Sequence, residues 1–298
     1  MWPLKNKYMK LLITGAYGQL GNEIKVLAEN YREWEFILTD VDSLDISDEI
    51  AVSDFFSKTS LDFVINCAAY TAVDKAETDI ETANRINAIA PGIIANVAKQ
   101  NGTKMIHIST DYVFGGKSFR PLAETDEVNP EGVYAKTKLA GEQNCMKENI
   151  DLMIIRTSWL YSTFGNNFVK TMLRLGREQS SLNVVFDQIG TPTYAADLAE
   201  AILNIIMISK KEPEKFVPGI YHYSNEGVAS WYDFSKAIFE ISGINCNVFP
   251  VLSEVFLTIA KRPEYSVLDK SKIKNTFGID IPFWRDSLKV CINKMNFV

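Results

Sequence analysis

The sequence is poor in metal-ligating side chains and contains no long apolar run. Its 298 residues include four cysteines and two histidines, and the cysteines are scattered without a CxxC pair. A zinc site is therefore not expected, and the cysteines are expected to be reduced thiols of a cytoplasmic protein. Because no apolar run reaches the roughly 18 residues of a membrane span, we expect no membrane association.

An excess of positive charge is also missing, since the net charge at pH 7 is -6. This charge argues against a nucleic-acid partner, and it requires any anionic ligand to be held by local cations and backbone amides. Residues 1–8 lack the apolar core and the cleavage site of a signal peptide. We expect them to form a short leader before the first strand.

Apolar segments of strand length alternate with segments of helix length along the first half of the chain. Strands are predicted at 10–14, 35–39, 62–66, 104–109 and 152–156, and helices at 19–29, 47–58, 80–100 and 133–147, with Ser47 as the cap of the second helix. This alternation predicts an α/β fold with a Rossmann-type, doubly wound parallel sheet. Beyond residue 157 the alternation loosens, which predicts a smaller C-terminal α/β lobe.

A glycine-rich loop joins the first predicted strand to the first helix, with a glycine at every third position from Gly15 to Gly21. These glycines allow a tight turn and a close backbone approach to a pyrophosphate, which the free amides of the helix start then bind. Asp40 ends the second strand, where an acidic residue typically bonds the adenosine ribose of a dinucleotide. An ordinary tight connection and a loop-capping Asp40 are the alternatives. The cofactor-binding residues predicted here are Gly15, Tyr17, Gly18, Gln19, Leu20, Gly21 and Asp40.

Three motifs resemble those of the extended short-chain dehydrogenase/reductase family. They are the Gly-x-x-Gly-x-x-Gly spacing, Asn66-Cys67-Ala68-Ala69 after the third strand, and Tyr134-Ala-Lys-Thr-Lys138. The resemblance implies an NAD(P)-binding Rossmann domain over residues 9–156. It also implies that residues 157–298 are mainly a substrate-binding lobe, with some segments returning to the Rossmann domain. The further cofactor contacts that it implies are Asp45, Ile46, Cys67, Ala68, Ala69, Tyr134 and Lys138.

Tyr134 and Lys138 lie four positions apart on a predicted helix, so both project from the same face. A phenol ionises near pH ~10, and a nearby ammonium is expected to lower that pKa towards neutrality. The resemblance implies that Tyr134 is the acid–base residue, that Lys138 binds the nicotinamide ribose, and that Thr110 bonds the reacting oxygen. Ser109 is the alternative to Thr110. The alternative to the catalytic pair is a surface Tyr and Lys on an amphipathic helix.

Further segments narrow the resemblance to the dTDP-4-dehydrorhamnose reductases. They are residues 68–77 (AAYTAVDKAE), 109–114 (STDYVF), 134–142 (YAKTKLAGE), 156–161 (RTSWLY), 165–168 (GNNF), 187–193 (DQIGTPT) and the pair Arg262-Pro263. The resemblance implies reduction of the carbon-4 keto group of dTDP-4-dehydro-L-rhamnose with NADH or NADPH. The substrate-binding residues that it implies are Thr110, Asp111, Tyr134, Trp159, Asn166, Asn167, Gln188 and Arg262. The alternatives are Trp159 in the core, Arg262 in a salt bridge with Glu264, and the two asparagines as a helix cap.

The resemblance also bears on metal binding, oligomeric state and cofactor choice. Some members of this family bind magnesium through glutamates at a dimer interface, and Glu23 matches one such position. Residues 193–197 lack the other glutamate, so we assign no metal ligand, Mg²⁺ binding is doubtful, and a homodimer stays open. Asp40 favours NADH, and no Lys or Arg follows it in residues 41–46, whereas the family often uses NADPH.

Two other functions are compatible with the cofactor loop. One is a different nucleotide-sugar enzyme, an epimerase or a dehydratase, and the other is a non-catalytic, dinucleotide-binding regulatory subunit. A dehydratase would need an Asp-Glu pair beside the threonine, but Tyr112 follows Asp111. The presence of Thr110, Tyr134 and Lys138 favours catalysis over regulation.

Overall fold

The computed structural model describes residues 8–148, 151–256 and 258–296, so residues 1–7 of the expected leader lie outside the described residues. The strands, numbered in chain order, are β1 (Met9–Thr14), β2 (Trp34–Thr39), β3 (Phe63–Asn66), β4 (Lys104–Thr110), β5 (Leu152–Thr157), β6 (Leu160–Tyr161), β7 (Ser181–Val185), β8 (Ile189–Gly190), β9 (Thr193–Tyr194), β10 (Gly219–His222), β11 (Ala229–Ser230) and β12 (Asn247–Val251). The α-helices are α1 (Gln19–Ala28), α2 (Glu49–Lys58), α3 (Val73–Ala76), α4 (Ile80–Asn84), α5 (Ala90–Gln100), α6 (Gly132–Glu148), α7 (Phe168–Glu178), α8 (Ala195–Lys211), α9 (Trp231–Ser242), α10 (Ser271–Phe277) and α11 (Trp284–Asn296). None of the helices in these ranges is long and apolar enough to cross a membrane.

A six-stranded sheet with the order β10-β5-β4-β3-β1-β2 forms the centre of the molecule. Every neighbouring pair in it is parallel, and helices cover both faces, which confirms the predicted doubly wound α/β fold. The chain moves from β1 outward to β2 and then returns to β3 on the other side. A ligand crevice is expected at this reversal, beyond the C-terminal ends of the strands.

Alternate side chains of the central strands fill two separate cores. On one face, Leu11 and Ile13 of β1 pack with residues of α1, α8 and α10. On the other face, Leu12 packs with residues of α2, α5 and α6. This is the two-residue period of a strand that is buried on both faces.

Residues after Thr157 contribute to both parts of the molecule. β10 lies beside β5 at one edge of the central sheet, and α8 and α10 contribute to the core that contains α1. The remaining elements form a second lobe in which α7, α9 and α11 pack around the parallel pair of β7 and β12. The cleft described below lies between this lobe and the sheet.

The prediction of Ser47 as the N-cap residue of α2 is wrong by one position. Asp48 caps the helix, because its Oδ1 accepts hydrogen bonds from the amides of Ile50 at 3.0 Å and Ala51 at 3.1 Å. Ser47 instead donates from Oγ to Asp45 Oδ1 at 2.6 Å. An aspartate and a serine at adjacent positions are equivalent as sequence signals for a cap.

The segment predicted as one helix at 80–100 contains a π-helix, Arg85–Ile89, between α4 and α5. Asn87 lies in this π-helix and is buried. Its side chain accepts a hydrogen bond from the Tyr70 amide at 2.8 Å and donates to the Tyr70 carbonyl at 3.0 Å. The irregular turn therefore fixes the backbone that follows β3. Such turns are frequent at functional sites.

Candidate active site

A cleft of about 880 Å³ lies at the C-terminal ends of β1, β3, β4 and β5 and faces the second lobe. Its size is that of a typical small-molecule site. The predicted site residues that line it are Gly15, Gly18, Gln19, Leu20, Gly21, Cys67, Ala69, Thr110, Asp111, Tyr134, Lys138, Trp159, Asn166, Asn167, Gln188 and Arg262. The structure thus brings most of the predicted cofactor and substrate residues together.

The glycine loop has no room for side chains at two of its positions. Gly15 has a φ of +62°, and a Cβ there would lie 2.7 Å from the Cα of Ala68. A Cβ on Gly21 would lie 2.5 Å from the carbonyl oxygen of Gly15. The N-cap residue of α1 is Gly18, which has no side chain to accept hydrogen bonds. The first amides of the helix are therefore not bonded by a capping side chain. These features fit the pyrophosphate of a nicotinamide dinucleotide.

Five predicted cofactor contacts do not line the cleft, namely Tyr17, Asp40, Asp45, Ile46 and Ala68. Asp40 accepts hydrogen bonds from the amides of Tyr17 at 3.1 Å and Val41 at 2.8 Å. Asp40 therefore caps its own loop, which was the alternative to a contact with the adenosine ribose. Asp45 accepts from the amide and the hydroxyl of Ser47, and Ile46 is buried in the core beneath α2.

The three predicted catalytic residues meet in the cleft. Thr110 Oγ1 donates a hydrogen bond to Asp111 Oδ1 at 3.0 Å and accepts one from the Tyr112 amide at 3.3 Å. Lys138 is 2% exposed, and its Nζ donates to the Ile108 carbonyl of β4 at 2.7 Å. The Tyr134 ring packs edge-to-face against Tyr112, with centroids 5.5 Å apart. One helix and one strand end therefore hold the whole group.

Burial favours the neutral phenol form of Tyr134. It raises the pKa of the phenol to about 12, an effect that the negative charge of Asp111 reinforces and a hydrogen bond with Thr110 opposes. The expectation that Lys138 lowers this pKa towards neutrality is wrong for this geometry, in which the ammonium bonds the backbone of β4. A phenol is protonated at pH 7 even with its ordinary pKa of about 10, and burial keeps Tyr134 in this form, which suits the role of proton donor.

Arg262 lines the cleft and forms an ion pair with Asp74. Its Nη2 donates to Asp74 Oδ2 at 2.7 Å, and its Nη1 donates to the Ala260 carbonyl at 3.2 Å. The hydrogen bond from Arg262 is the main reason that the pKa of Asp74 is lowered. Glu264, the partner considered from the sequence, is not the residue that Arg262 pairs with.

Trp159 forms an aromatic wall of the cleft together with Trp231. The two rings stack with centroids 3.5 Å apart and planes 6° from parallel. Trp159 has a φ of +46°, a left-handed conformation that is strained for a residue with a side chain. Trp231 Nε1 donates to Gln188 Oε1 at 3.2 Å. Sequence reasoning missed Trp231, because nothing in the chain around it indicates that α9 begins beside the cleft.

The two asparagines of the second lobe differ in their surroundings. Asn167 caps α7, since its Oδ1 accepts from the Lys170 amide at 3.1 Å. Its Nδ2 donates to Gln19 Oε1 at 3.0 Å, which ties the lobe to the glycine loop. Asn166 is exposed at the cleft. Asn167 is therefore a helix cap, as one interpretation of the sequence held, whereas Asn166 is exposed in the cleft where a ligand would bind.

Glu23, which matches a magnesium position in the resemblance, is buried against the second lobe. It accepts a hydrogen bond from Ser162 Oγ at 2.6 Å. Burial raises the pKa of this carboxyl, and the bond from Ser162 lowers it. Within residues 8–148, 151–256 and 258–296, no three His, Cys, Asp or Glu side chains are grouped as metal ligands.

Comparison with known proteins places the whole chain in one family. Residues 9–297 match the family of the RmlD substrate binding domain. The dTDP-4-dehydrorhamnose reductase of Aggregatibacter actinomycetemcomitans is 40% identical, over 94% of this chain and 97% of its own length.

Two solved structures are similar to this chain over almost its whole length, which includes both lobes. The crystal structure of a dTDP-4-dehydrorhamnose reductase from Clostridium acetobutylicum is 45% identical and has a TM-score of 0.91, covering 97% of this chain and 100% of that chain. The same enzyme from Bacillus anthracis, in complex with NADP, is 38% identical with a TM-score of 0.89, covering 96% and 99% of the two chains. The resemblance expected from the motifs is confirmed. The chain belongs to the dTDP-4-dehydrorhamnose reductase family.

Proposed function

We propose that the protein reduces the carbon-4 keto group of dTDP-4-dehydro-L-rhamnose with NADH or NADPH and so produces dTDP-L-rhamnose. The observation that carries this proposal is the meeting of Thr110, Tyr134 and Lys138 in one cleft with the glycine loop. Relatives that carry the name of this reaction match both lobes, and one of them was crystallised with NADP.

The catalytic roles follow from the contacts in the cleft. The glycine loop and Lys138 would hold the nicotinamide dinucleotide, which would supply the hydride for the keto carbon. Tyr134 holds the proton that the reduced oxygen requires, because its phenol is neutral at the working pH. Thr110 is fixed by Asp111 and Tyr112 and orients the reacting oxygen. Lys138, four residues after Tyr134 on α6, would bind the nicotinamide ribose.

The second lobe and the loops beside it are proposed to hold the nucleotide sugar. The stacked rings of Trp159 and Trp231 offer an apolar surface to the deoxysugar, and Asn166 offers an exposed amide to its oxygens. Gln188 is engaged with Trp231 and, through Nε2, with Ser253 Oγ at 3.0 Å, so it supports the aromatic wall. Arg262 also lines the cleft, and its guanidinium can make two parallel hydrogen bonds to phosphate oxygens.

The cleft supports reduction better than dehydration. A dehydratase would need a second acid–base carboxyl beside Asp111, and the neighbouring position holds Tyr112. Burial raises the pKa of that phenol, and the negative charge of Asp111 raises it further. Tyr112 therefore stays protonated at neutral pH and cannot act as the required base.

The proposal is tested by incubating the protein with dTDP-4-dehydro-L-rhamnose and either NADH or NADPH. We expect oxidation of the cofactor in step with a product that has gained two hydrogens. An isomer of unchanged mass formed without cofactor consumption would indicate an epimerase, and loss of water would indicate a dehydratase. Cofactor binding without any turnover would favour the regulatory alternative.

Asp40 is expected to disfavour NADPH. A carboxylate near the adenosine ribose repels a 2′-phosphate, whereas it accepts hydrogen bonds from two hydroxyls. Asp40→Asn keeps the shape and removes the charge, so the ratio of kcat/KM for NADPH to that for NADH should rise roughly fivefold, or about 1 kcal/mol. The measurement is steady-state kinetics with both cofactors at equal ionic strength. An unchanged ratio would leave Asp40 as a loop cap alone.

A further inference from the structure

Beneath the cleft, α6 and β5 share a buried ion pair that the proposed steps do not use. Arg156 of β5 donates from Nε to Glu142 Oε1 at 2.9 Å and from Nη2 to Oε2 at 2.7 Å. Ser109 of β4 donates to the same Oε1 at 2.5 Å. Glu142 is 0% and Arg156 is 2% exposed. Three elements of the Rossmann domain therefore fix one carboxylate in a single position.

Lys138 lies one helical turn before Glu142 on α6 and is equally buried. Its Nζ donates to the carbonyl of Ile108, the residue before Ser109 on β4. One neutral carbonyl offsets only part of the free energy that burying an ammonium costs. Burial accordingly lowers the pKa of Lys138 to about 8, and the charge of Glu142 is the largest effect that opposes this lowering.

The other titratable groups that face Lys138 carry no charge near pH 7. They are Cys145 of α6, Cys67 after β3 and His107 of β4. Burial raises the pKa of both thiols to about 12, and it lowers the pKa of His107. Tyr134, one turn earlier on α6, is a neutral phenol, and the positive charge of Arg156 is paired with Glu142. Glu142 thus supplies the one negative charge among these groups.

We infer that Glu142 is a positioning residue for the proposed reduction: Arg156 and Ser109 hold its carboxylate on the same helix one turn from Lys138, and this buried negative charge stabilises the Lys138 ammonium where it bonds the Ile108 carbonyl. The inference rests on the proposed function for the role of Lys138 towards the cofactor. Glu142 does not line the cleft, so it acts through Lys138 rather than on the substrate.

The sign of the effect follows from the charges. The ammonium form of Lys138 is lost as pH rises through its pKa of about 8. Glu142→Gln keeps the shape of the side chain and removes the negative charge, while the positive charge of Arg156 remains. The loss of that negative charge disfavours the ammonium form, and it leaves Arg156 without its counter-charge. The same loss of the ammonium form is therefore expected roughly one to two pH units lower.

The experiment measures binding of NADH or NADPH, whichever binds more tightly, from about pH 6 to about pH 9 by fluorescence titration. The wild-type affinity is expected to fall above about pH 8. Near neutral pH, Glu142→Gln is expected to bind roughly twofold to tenfold more weakly and to recover as the pH is lowered, because Lys138 is protonated again. If the substitution only damaged the structure, lowering the pH would not restore the affinity for the cofactor. Since no sugar is present, the result does not depend on whether the proposed substrate is correct.

Two further variants keep the inference falsifiable. Glu142→Gln/Arg156→Gln removes both buried charges, avoids the unpaired Arg156 that threatens folding of the single variant, and is expected to show an intermediate shift. Glu240→Gln removes the same charge from a surface ion pair with Arg285 and should titrate like the wild type. A loss of affinity that is equal at every pH, an unchanged titration, or a wild-type affinity without a pH transition would each overturn the inference.

Discussion

Tyr134→Phe is expected to lower kcat at least ~100-fold, the lower end of the contribution of general acid–base catalysis. The substitution removes the phenolic proton and leaves the ring in its edge-to-face contact with Tyr112. Affinity for the cofactor should barely change, because Lys138 and the glycine loop remain in place. The measurements are kcat with the dTDP-sugar and the dissociation constant of the cofactor.

Tyr112→Phe is the matched control, because it removes a hydroxyl from a neighbouring tyrosine that also lines the cleft. This variant is expected to keep kcat within about tenfold of the wild type, as its hydroxyl has no role in the proposed proton transfer. Near-normal turnover in Tyr134→Phe would remove Tyr134 from the mechanism. Equal losses in both variants would point to damaged packing of the two rings.

The central sheet could be predicted because each of its first five strands is an apolar run that follows or precedes a helix. β10 is different, since its four residues lie after a long segment of looser pattern and carry no local signal for a place beside β5. Strand pairing of this kind depends on contacts between residues that are far apart in the chain. The order of strands could be inferred only from the fold class.

The catalytic group could be predicted because each member occupies a motif at a strand end or on one helical face. The direction of the Tyr134 pKa could not, because burial depends on how the second lobe and α6 enclose the cleft. The sequence shows that Lys138 lies near Tyr134, but not that Nζ bonds the Ile108 carbonyl. The spacing of two residues in the sequence predicts that their side chains lie close together. Their protonation states also depend on how far each group is removed from water, which only the folded structure shows.

Residues that support the site from other elements were the hardest to find. Asn87 bonds Tyr70, Trp231 stacks on Trp159, and Glu142 pairs with Arg156, and each contact joins separate elements of the fold. In the sequence, Glu142 cannot be distinguished from a charged residue on the surface of a helix until its buried partner Arg156 is located. Such supporting contacts are visible only after the chain has folded.

Arg262→Ala is expected to raise KM for the dTDP-sugar roughly tenfold to a hundredfold, which corresponds to the loss of a charge-assisted contact of ~1.5–3 kcal/mol. Arg262 lines the cleft, its guanidinium is already oriented by Asp74 at 2.7 Å, and the substrate carries two phosphate groups. Pro263 biases the backbone of Arg262 towards an extended conformation. Arg262→Lys should recover only part of the loss, because lysine cannot make two parallel hydrogen bonds to phosphate.

The decisive measurement is titration of the folded variants with dTDP and, separately, with the cofactor. Affinity for dTDP should fall in Arg262→Ala, whereas affinity for the cofactor, which binds at the glycine loop, should stay. Lys261→Ala is the control, since the adjacent cation pairs with Glu131 at 2.6 Å on the surface and should leave both affinities unchanged. If Arg262→Ala binds dTDP as well as the wild type does, the residue serves only to pair with Asp74 and to hold the segment around Ala260 beside α3.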